Sequence, residues 1–355
     1  MLDNRVENIG ITDKYDQTIP VRTGLIEREP LLGSYIADLM TGVAYEVVNA
    51  SGKWLPYISK SEKQSFRRFD TMACVSYSTI NSIEMQLNFM MINGLIDVTP
   101  LKDWLDPVTG RFNFSDRFLA KVSGTTENGN YYDKVANAVR YYGLVPEAMW
   151  PASENFTWDQ YYSEIPEHVL AKGKELLKYI DIAPPEFLIK KWNGSALVVP
   201  DDLLRRHILQ VPLIISTATC AGWSVKDPVA ACSADSNHAT TMIEVYDDGA
   251  YEIEDHYVNF EGVFQKTLQS GYFIYNAIKL VVNPKPLISN DKSMAEAKIV
   301  KREGTSEIGI YIPMTAESAL YAMGRAMGLN VPMKDNKPNT VDFDNLKIDG
   351  SVKID

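Results

Sequence analysis

Cys74 is the strongest candidate for chemistry in this chain, because its thiol precedes a predicted helix. Apolar residues follow it at helical spacing, namely Ile80, Ile83, Leu87 and Met90. This spacing predicts an amphipathic helix with Cys74 in its first turn, where oriented N–H groups and a partial positive charge favour the reactive thiolate. A cap at Ser78 or Thr79 would start the helix later and weaken that field. A buried, inert thiol is the common alternative.

His238 and Asp255 lie in two runs that predict a β-hairpin. His238 begins a β-branched and apolar run, residues 247–249 supply a turn, and residues 250–255 form the second run. Strands joined by a tight turn are antiparallel neighbours, and the two residues are about equally far from the turn. The hairpin therefore predicts an imidazole beside a carboxylate. A histidine at a strand start is more often structural, but this chain has only 4 histidines and this one has a placed acidic partner.

The order of these segments resembles a known enzyme family. Cys74-Val75-Ser76-Tyr77-Ser78 resembles the Cys-Trp-Ala-Phe-Ser segment of papain-like cysteine peptidases, and Asn237-His238-Ala239 resembles their Asn-His-Ala. Further similar segments follow in the family's order, at 114–119, 138–151, 253–257 and 270–274. The matches are colinear from about residue 60 to 280. The resemblance implies an α+β, papain-like two-lobed fold, with a helical lobe first and an antiparallel β lobe second.

The same resemblance implies catalytic roles. Cys74 would be the nucleophile and His238 the base, and Asp255 would replace the family's orienting asparagine. The family's oxyanion glutamine lies six residues before the nucleophile, where this chain has Arg68. Gln64, ten residues ahead of Cys74, could serve only if a longer loop returns it to the site.

The family's substrate cleft presents Asn-Gly-Gly, whose backbone pairs with an extended peptide. The corresponding run here is Asn128-Gly129-Asn130, in which Asn130 adds a side chain where the family has a second glycine. Gly129, Asn130 and Asn237, which precedes the candidate base, are therefore the predicted substrate-binding residues. A loop glycine is often only a turn residue.

Composition restricts the partners that this protein could have. The chain has 355 residues, an apolar content of 45% and a net charge of −11, which disfavours nucleic acid and anionic membranes. It contains neither an apolar stretch of membrane-spanning length nor the apolar core of a secretory signal. The family's disulfide partners near the nucleophile are missing, which suggests a reducing compartment, although Cys220 and Cys232 could form a local bridge. The predicted chemistry needs no metal and no cofactor.

Three segments are predicted along the chain. Residues 1–55 form an N-terminal extension, 56–285 the papain-like domain, and 286–355 a linker and a small accessory α/β module with a polar tail. The extension could be a propeptide, but a surface extension is the favoured interpretation. Helices are predicted near 74–93, 115–122, 130–143 and 166–180, and strands at 196–199, 211–217, 239–246, 250–255, 271–280 and 308–312, with a last helix at 315–328.

The leading functional hypothesis is cysteine-dependent hydrolysis of a peptide or amide bond through an acyl-enzyme. A catalytically silent scaffold is the first alternative, motivated by the displaced glutamine and by Asn130. A peptidoglycan amidase is the second, although the segment 114–151 argues against that smaller fold. The divergent pattern resembles papain-like modules of bacteriophages. It implies the host cytoplasm or the virion as location, and a peptide or protein substrate or a virion or assembly partner.

Overall fold

Helices come first along this chain and most strands of its main sheet come later. The computed structural model describes residues 12–13, 16–20, 24–26, 47–219, 223, 228–230, 235–258, 262–285, 298–301 and 308–311. The α-helices within them are α1 (Cys74–Ile92), α2 (Asp116–Val122), α3 (Tyr132–Tyr142), α4 (Trp158–Tyr161), α5 (Glu167–Leu176) and α6 (Asp201–His207). Short 3-10 helices span Leu55–Tyr57, Thr99–Trp104 and Glu147–Met149. No helix in the described ranges is both long and apolar enough to cross a membrane.

The strands form one large antiparallel sheet and several two-stranded ones. They are β1 (Thr12–Asp13), β2 (Asp16–Pro20), β3 (Ser65–Phe66), β4 (Phe69–Asp70), β5 (Ile180–Ile182), β6 (Glu186–Phe187), β7 (Lys191–Trp192), β8 (Leu197–Val198), β9 (Leu213–Thr217), β10 (His238–Val245), β11 (Tyr251–Glu254), β12 (Gln265–Leu268), β13 (Asn276–Lys279), β14 (Val282–Pro284), β15 (Lys298–Lys301) and β16 (Ile308–Tyr311). The large sheet has the order β12-β11-β10-β9-β13-β6. The predicted α+β class is confirmed.

The chain divides into two units, Met1–Lys285 and Pro286–Asp355. The first unit contains every candidate site residue. In the second, β15 and β16 pair antiparallel, and β16 falls on the strand predicted at 308–312. The helix predicted at 315–328 lies outside the described residues. The roles predicted for the N-terminal extension (residues 1–55) and for the accessory module (residues 286–355) stay predictions.

Helix α1 is buried on all sides from Cys74 to Phe89, which a single apolar stripe did not predict. Ile83 and Leu87 pack into one core with residues of α2 and α3, whereas Met85 and Phe89 pack into a second core with the large sheet. Even its polar Gln86 is buried, donating to the Leu280 carbonyl at 2.8 Å and accepting from the Val282 N–H at 3.0 Å. The helix is therefore shared between both cores.

Trp54, which lies in the predicted N-terminal extension, belongs to the core of the sheet. Its side chain is fully buried, and its indole N–H donates to the Ile208 carbonyl at 2.7 Å. Its backbone N–H donates to the Ile243 carbonyl at 3.0 Å. The hydrophobic core of the first unit therefore begins at least two residues before position 56.

Candidate active site

Cys74 is the first residue of α1, and Ala73 is the N-cap without a side-chain cap. The helix does not begin at the Ser78–Thr79 pair, because both hydroxyls bond back into it. Ser78 Oγ donates to the Cys74 carbonyl at 2.8 Å, and Thr79 Oγ1 donates to the Val75 carbonyl at 2.7 Å. The thiol therefore lies at the helix N-terminus, where the partial positive charge favours its anion. Cys74 is fully buried.

The β10–β11 hairpin brings His238 and Asp255 together. Thr241 pairs with Glu254 across it, and an irregularity follows at Met242. His238 opens β10 and Asp255 follows β11, and His238 Nε2 lies 2.7 Å from Asp255 Oδ1. The tight turn thus places the imidazole against the carboxylate, as the hairpin argument expects.

The charge of Asp255 governs the protonation of His238. Burial alone would lower the pKa of this imidazole, but the charge and hydrogen bond of Asp255, with a further contribution from Cys74, raise it to about 9. His238 Nδ1 is buried and has no hydrogen-bond partner among the described residues. This second nitrogen is therefore available to the neighbouring thiol, and His238 carries its proton at neutral pH.

Asp255 receives four donors, which fills the acceptor sites of a carboxylate. Besides His238, its Oδ1 accepts from the His256 N–H at 2.7 Å. Its Oδ2 accepts from the Trp223 indole N–H at 2.7 Å and from Lys266 Nζ at 2.6 Å. Burial would raise the pKa of Asp255, but Lys266 and His238 together hold it well below its usual range. Asp255 is therefore ionised although it is fully buried.

Trp223 and Lys266 are site residues that sequence reasoning missed. Trp223 lies between segments with no strong strand or helix pattern. Lys266 lies on β12, in a short run where only alternation, Gln-Lys-Thr-Leu, could have indicated a strand beside β11. A lysine in such a run is ordinarily read as solvent-exposed, whereas Lys266 is 1% exposed.

Aromatic rings cover the His238–Asp255 hydrogen bond. Trp223 meets the His238 ring edge to face, with ring centroids 5.7 Å apart, and the Tyr257 ring lies 5.2 Å from it. Two aromatic side chains therefore exclude water from this hydrogen bond, which strengthens it.

His256 is a neutral neighbour of the site. Burial, with the nearby His238 and Lys266, lowers its pKa to about 3 in spite of Asp255. Both of its ring nitrogens are buried without a hydrogen-bond partner among the described residues. It adds no positive charge near His238 at neutral pH.

Gln64 is hydrogen-bonded to the buried carboxylate of Asp70 and to Tyr257, which lies beside His238. Its Nε2 donates to Asp70 Oδ1 at 3.0 Å and to the Tyr257 hydroxyl at 2.7 Å. Asp70 also accepts from the Tyr257 hydroxyl at 2.6 Å and from the Met72 N–H at 2.8 Å. Burial raises the pKa of Asp70 to about 6, although these hydrogen bonds act to lower it. Both N–H groups of Gln64 are thus engaged in this state, and its oxyanion role stays a prediction.

The predicted cleft residues lie beside a segment from the N-terminal part of the chain. The Asn130 N–H donates to the Gly24 carbonyl at 2.7 Å, and the Ile26 N–H donates to the Asn130 carbonyl at 2.9 Å, as in a parallel β-bridge. Gly129 has a φ of +95°, and a Cβ on it would come within 1.7 Å of the Gly24 carbonyl oxygen. Only glycine fits there.

The side chain of Asn130 does not enter the cleft. It is buried, and its Nδ2 donates to Ser123 Oγ at 3.0 Å and to Thr125 Oγ1 at 3.1 Å. The side chain that replaces the family's second glycine is therefore held within its own loop. Its backbone N–H and carbonyl are both paired, with Gly24 and Ile26.

Asn237 fixes the loop ahead of the candidate base. Its Oδ1 accepts from the Thr219 N–H at 2.9 Å and from Thr219 Oγ1 at 3.1 Å, and its own N–H donates to the Thr217 carbonyl at 3.1 Å. These bonds orient the start of β10, so this structure shows a positioning contact for Asn237.

Within the described ranges, no group of three or more His, Cys, Asp or Glu side chains could hold a metal ion. Cys220 and Cys232 lie outside the described residues, so their predicted bridge stays a prediction. Cys74 is a free thiol.

No protein-family model and no curated protein matches this sequence significantly. Solved structures of papain-like cysteine proteases do match. The Amb a 11 cysteine protease of ragweed pollen in its proform is 14% identical with a TM-score of 0.41, and 65% of each chain is covered. Digestive procathepsin L 3 of Tenebrio molitor is 12% identical with a TM-score of 0.42, and 65% of this chain and 68% of that chain are covered.

The bromelain protease of Ananas comosus in complex with the E64 inhibitor is 11% identical with a TM-score of 0.40, and 65% of this chain and 96% of that chain are covered. The chain spans 65% of the length of the ragweed protease, just under two thirds. These neighbours belong to the fold family that the sequence resembles.

Proposed function

We propose that this chain is a cysteine peptidase that hydrolyses a peptide bond through an acyl-enzyme. The observation that carries the proposal is the arrangement of Cys74, His238 and Asp255. The thiol begins a helix and interacts with an imidazole that a carboxylate holds at 2.7 Å. A nucleophile, a base and a group that orients the base, each next to the following one, are what covalent catalysis by a thiol requires.

The proposed reaction uses both ring nitrogens of His238. With Nε2 donating to Asp255, Nδ1 holds the proton that the Cys74 thiol has given up, and the Cys74 thiolate attacks the peptide carbonyl carbon. The C–N bond then breaks, the leaving amine takes the proton from Nδ1, and the acyl group stays on sulfur. Water, deprotonated by Nδ1, hydrolyses the thioester and regenerates the thiol. The Cys74 N–H at the helix start would donate to the oxyanion, with Gln64 as the proposed second donor.

The segment Gly24–Ile26 supports a polypeptide as substrate. It pairs with Asn130 through two backbone hydrogen bonds, and Leu25 packs in the same apolar cluster as Cys74. A surface that already holds an extended chain beside the nucleophile suits an extended peptide, since backbone pairing does not depend on side chains. Because Cys74 is fully buried, the residues packed around its thiol would have to move before a substrate enters.

A catalytically silent scaffold remains the second candidate. The burial of Cys74 and the engagement of both Gln64 N–H groups by Asp70 and Tyr257 favour it. A peptidoglycan amidase, a bacteriophage origin, a virion or assembly partner, and a location in the host cytoplasm or the virion stay predictions from the sequence. Incubation with purified peptidoglycan would test the amidase.

The test is replacement of the nucleophile. We expect Cys74→Ala to abolish cleavage of a mixed peptide library, because Cys74 is the thiol that the described residues place beside His238. The matched control is the double variant Cys220→Ala/Cys232→Ala, which removes the other two thiols and should cleave as the unaltered chain does. Labelling by an activity-based thiol probe, read by peptide mapping, should be confined to Cys74.

Unchanged cleavage by Cys74→Ala would overturn the peptidase proposal. Absence of probe labelling at Cys74 in a chain from which residues 1–26 have been removed would favour the silent scaffold. This truncation keeps Trp54.

A further inference from the structure

Lys266 is an unusual residue to find behind the candidate triad. Lysine is rarely fully buried unless it is paired, and this one is 1% exposed. Its Nζ donates to Asp255 Oδ2 at 2.6 Å and also to the Tyr257 carbonyl. The strand that carries it pairs with β11, where Ile253 lies opposite Lys266. The fold therefore delivers an ammonium group to the far side of the orienting carboxylate.

An aspartate at position 255 creates a problem that an asparagine would not. A buried carboxylate 2.7 Å from an imidazole favours the charged imidazolium strongly. An imidazolium that holds its proton too tightly is a poor acid toward the leaving amine and a poor base toward water, because a catalytic group works best near the operating pH. A cation behind the carboxylate reduces this effect.

We propose that Lys266 is a positioning residue that acts through Asp255, compensating its charge so that His238 can release its proton as well as hold it. The proposal rests on the proposed function, in which His238 exchanges protons with the substrate. Asp255 would still accept the hydrogen bond from His238. The net charge of Asp255 and Lys266 together would be closer to zero than the charge of a lone carboxylate.

The other groups that face His238 do not supply this compensation. Cys74 on α1 and Asp70 on β4 are acidic groups, and the charge of each interacts with that of His238. His256 is neutral at physiological pH, because its pKa is about 3. Tyr257 is neutral too, since burial and the nearby Asp70 raise its pKa well above the usual value. Lys266 is thus the cation that the described residues place beside the Asp255–His238 pair.

The test is a titration of His238 that needs no substrate. The chain has only 4 histidines, so NMR of protein labelled at histidine Cε1 gives few signals, and His238→Gln assigns the one of interest. The pKa of His238 would be measured in the unaltered chain, in Lys266→Met, in Asp255→Asn, and in the double variant. Lys279→Met is the matched control, because Lys279 lies in the same sheet and pairs at 3.0 Å with Glu186.

We expect a defined order of His238 pKa values. Lys266→Met should raise the value by about one unit, because the carboxylate loses its cation. Asp255→Asn should give the lowest value, because an uncompensated ammonium then remains. The double variant should lie above Asp255→Asn and below the unaltered chain, and Lys279→Met should leave the value unchanged. In a chain that cleaves peptide, the alkaline limb of kcat/KM should move with the His238 pKa.

Two results would overturn the proposal. One is a His238 pKa that is the same with and without Lys266. If the single variants do not fold, the double variant decides: folding of the double variant alone supports the charge pairing, and a double variant as unstable as Lys266→Met contradicts it. A His238 that responds to Lys266 in a chain that cleaves no peptide would count against the proposed function and not against this coupling.

Discussion

At the scale of the residue, His238 sets the pH range in which the proposed chemistry works. Its pKa of about 9 means that the imidazole keeps its proton at neutral pH and loses it above that value. In the proposed reaction the protonated ring would both stabilise the thiolate of Cys74 and donate to the leaving amine. Loss of this proton therefore removes the acid from the reaction.

We expect kcat/KM for a peptide substrate to fall as pH rises through about 9, because His238 is the acid that is lost there. The measurement is a pH–rate profile, with circular dichroism at each pH to show that the fold persists. An alkaline limb centred near pH 7 would contradict the raised pKa of His238, and a flat profile to pH 10 would contradict its role as the acid.

The sequence predicted the site residues that a single helix or hairpin positions. It missed those that enter the site through pairing between strands distant from that hairpin's turn. Cys74 and its helix follow from apolar spacing, and the contact of His238 with Asp255 follows from a tight turn. Lys266 meets Asp255 only because β12 pairs with β11. Gln64 could be selected by type, but its hydrogen bonds to neighbouring side chains depend on packing that spacing does not describe.

At the scale of the element, the Gly24–Ile26 segment covers the nucleophile's surroundings. A Cβ on Gly24 would come within 1.9 Å of the Met72 carbonyl oxygen, so this backbone passes directly over the turn before Cys74. Leu25 is 7% exposed and packs in the cluster that contains Cys74. The favoured interpretation of residues 1–55 as a surface extension does not describe this part of them.

We expect Leu25→Asp to release this segment, because a carboxylate cannot stay in an apolar cluster without a large cost in free energy. The measured result should be labelling of Cys74 by a peptide-based thiol probe at a rate raised by about tenfold or more, since burial of a charge costs several kcal/mol. The control is Val108→Asp, at a side chain that is 91% exposed. Equal labelling rates in the two variants would show that Leu25 does not restrict access.

Elements were predicted where their pattern was long and missed where it was short. α1, α2, α3 and α5 each fall on a predicted helix, whereas α4 and α6 were not expected. The first of these missed helices has only four residues, and its Thr157 cap and Gln160 form a capping box that pattern reading did not use. β12 was missed because its four residues are mostly polar.

At the scale of the whole molecule, the core of the first unit depends on residues that precede the predicted domain. Trp54 fills the sheet's core and is fully buried. Trp54 has polar neighbours in the sequence, such as Asn49, Ser51 and Lys53, and their polarity does not show that its side chain packs into the core. A boundary based on average polarity therefore falls inside a packed segment.

We expect Trp54→Ala to lower the free energy of unfolding by about 3–5 kcal/mol, because it leaves a large cavity and an unpaired carbonyl at Ile208. Urea denaturation would measure it. Trp192→Ala is the control, since that side chain is 67% exposed and should change stability by no more than about 0.5 kcal/mol. Similar losses in both variants would argue that Trp54 is not part of the core.

The burial of α1 from Cys74 to Phe89 has a mechanical consequence. Polar groups of the helix are hydrogen-bonded to other elements. Gln86 bonds to the backbone of Leu280 and Val282. Ser82 donates to the Pro212 carbonyl at 2.8 Å, and the Ser78 carbonyl accepts from Thr241 Oγ1 at 3.1 Å. Such a helix cannot act as a hinge, because bending it would break contacts in both cores at once. In the proposed reaction, access for substrate would therefore depend on movement of peripheral segments such as Gly24–Ile26. The distances among Cys74, His238 and Asp255 would not change during that movement.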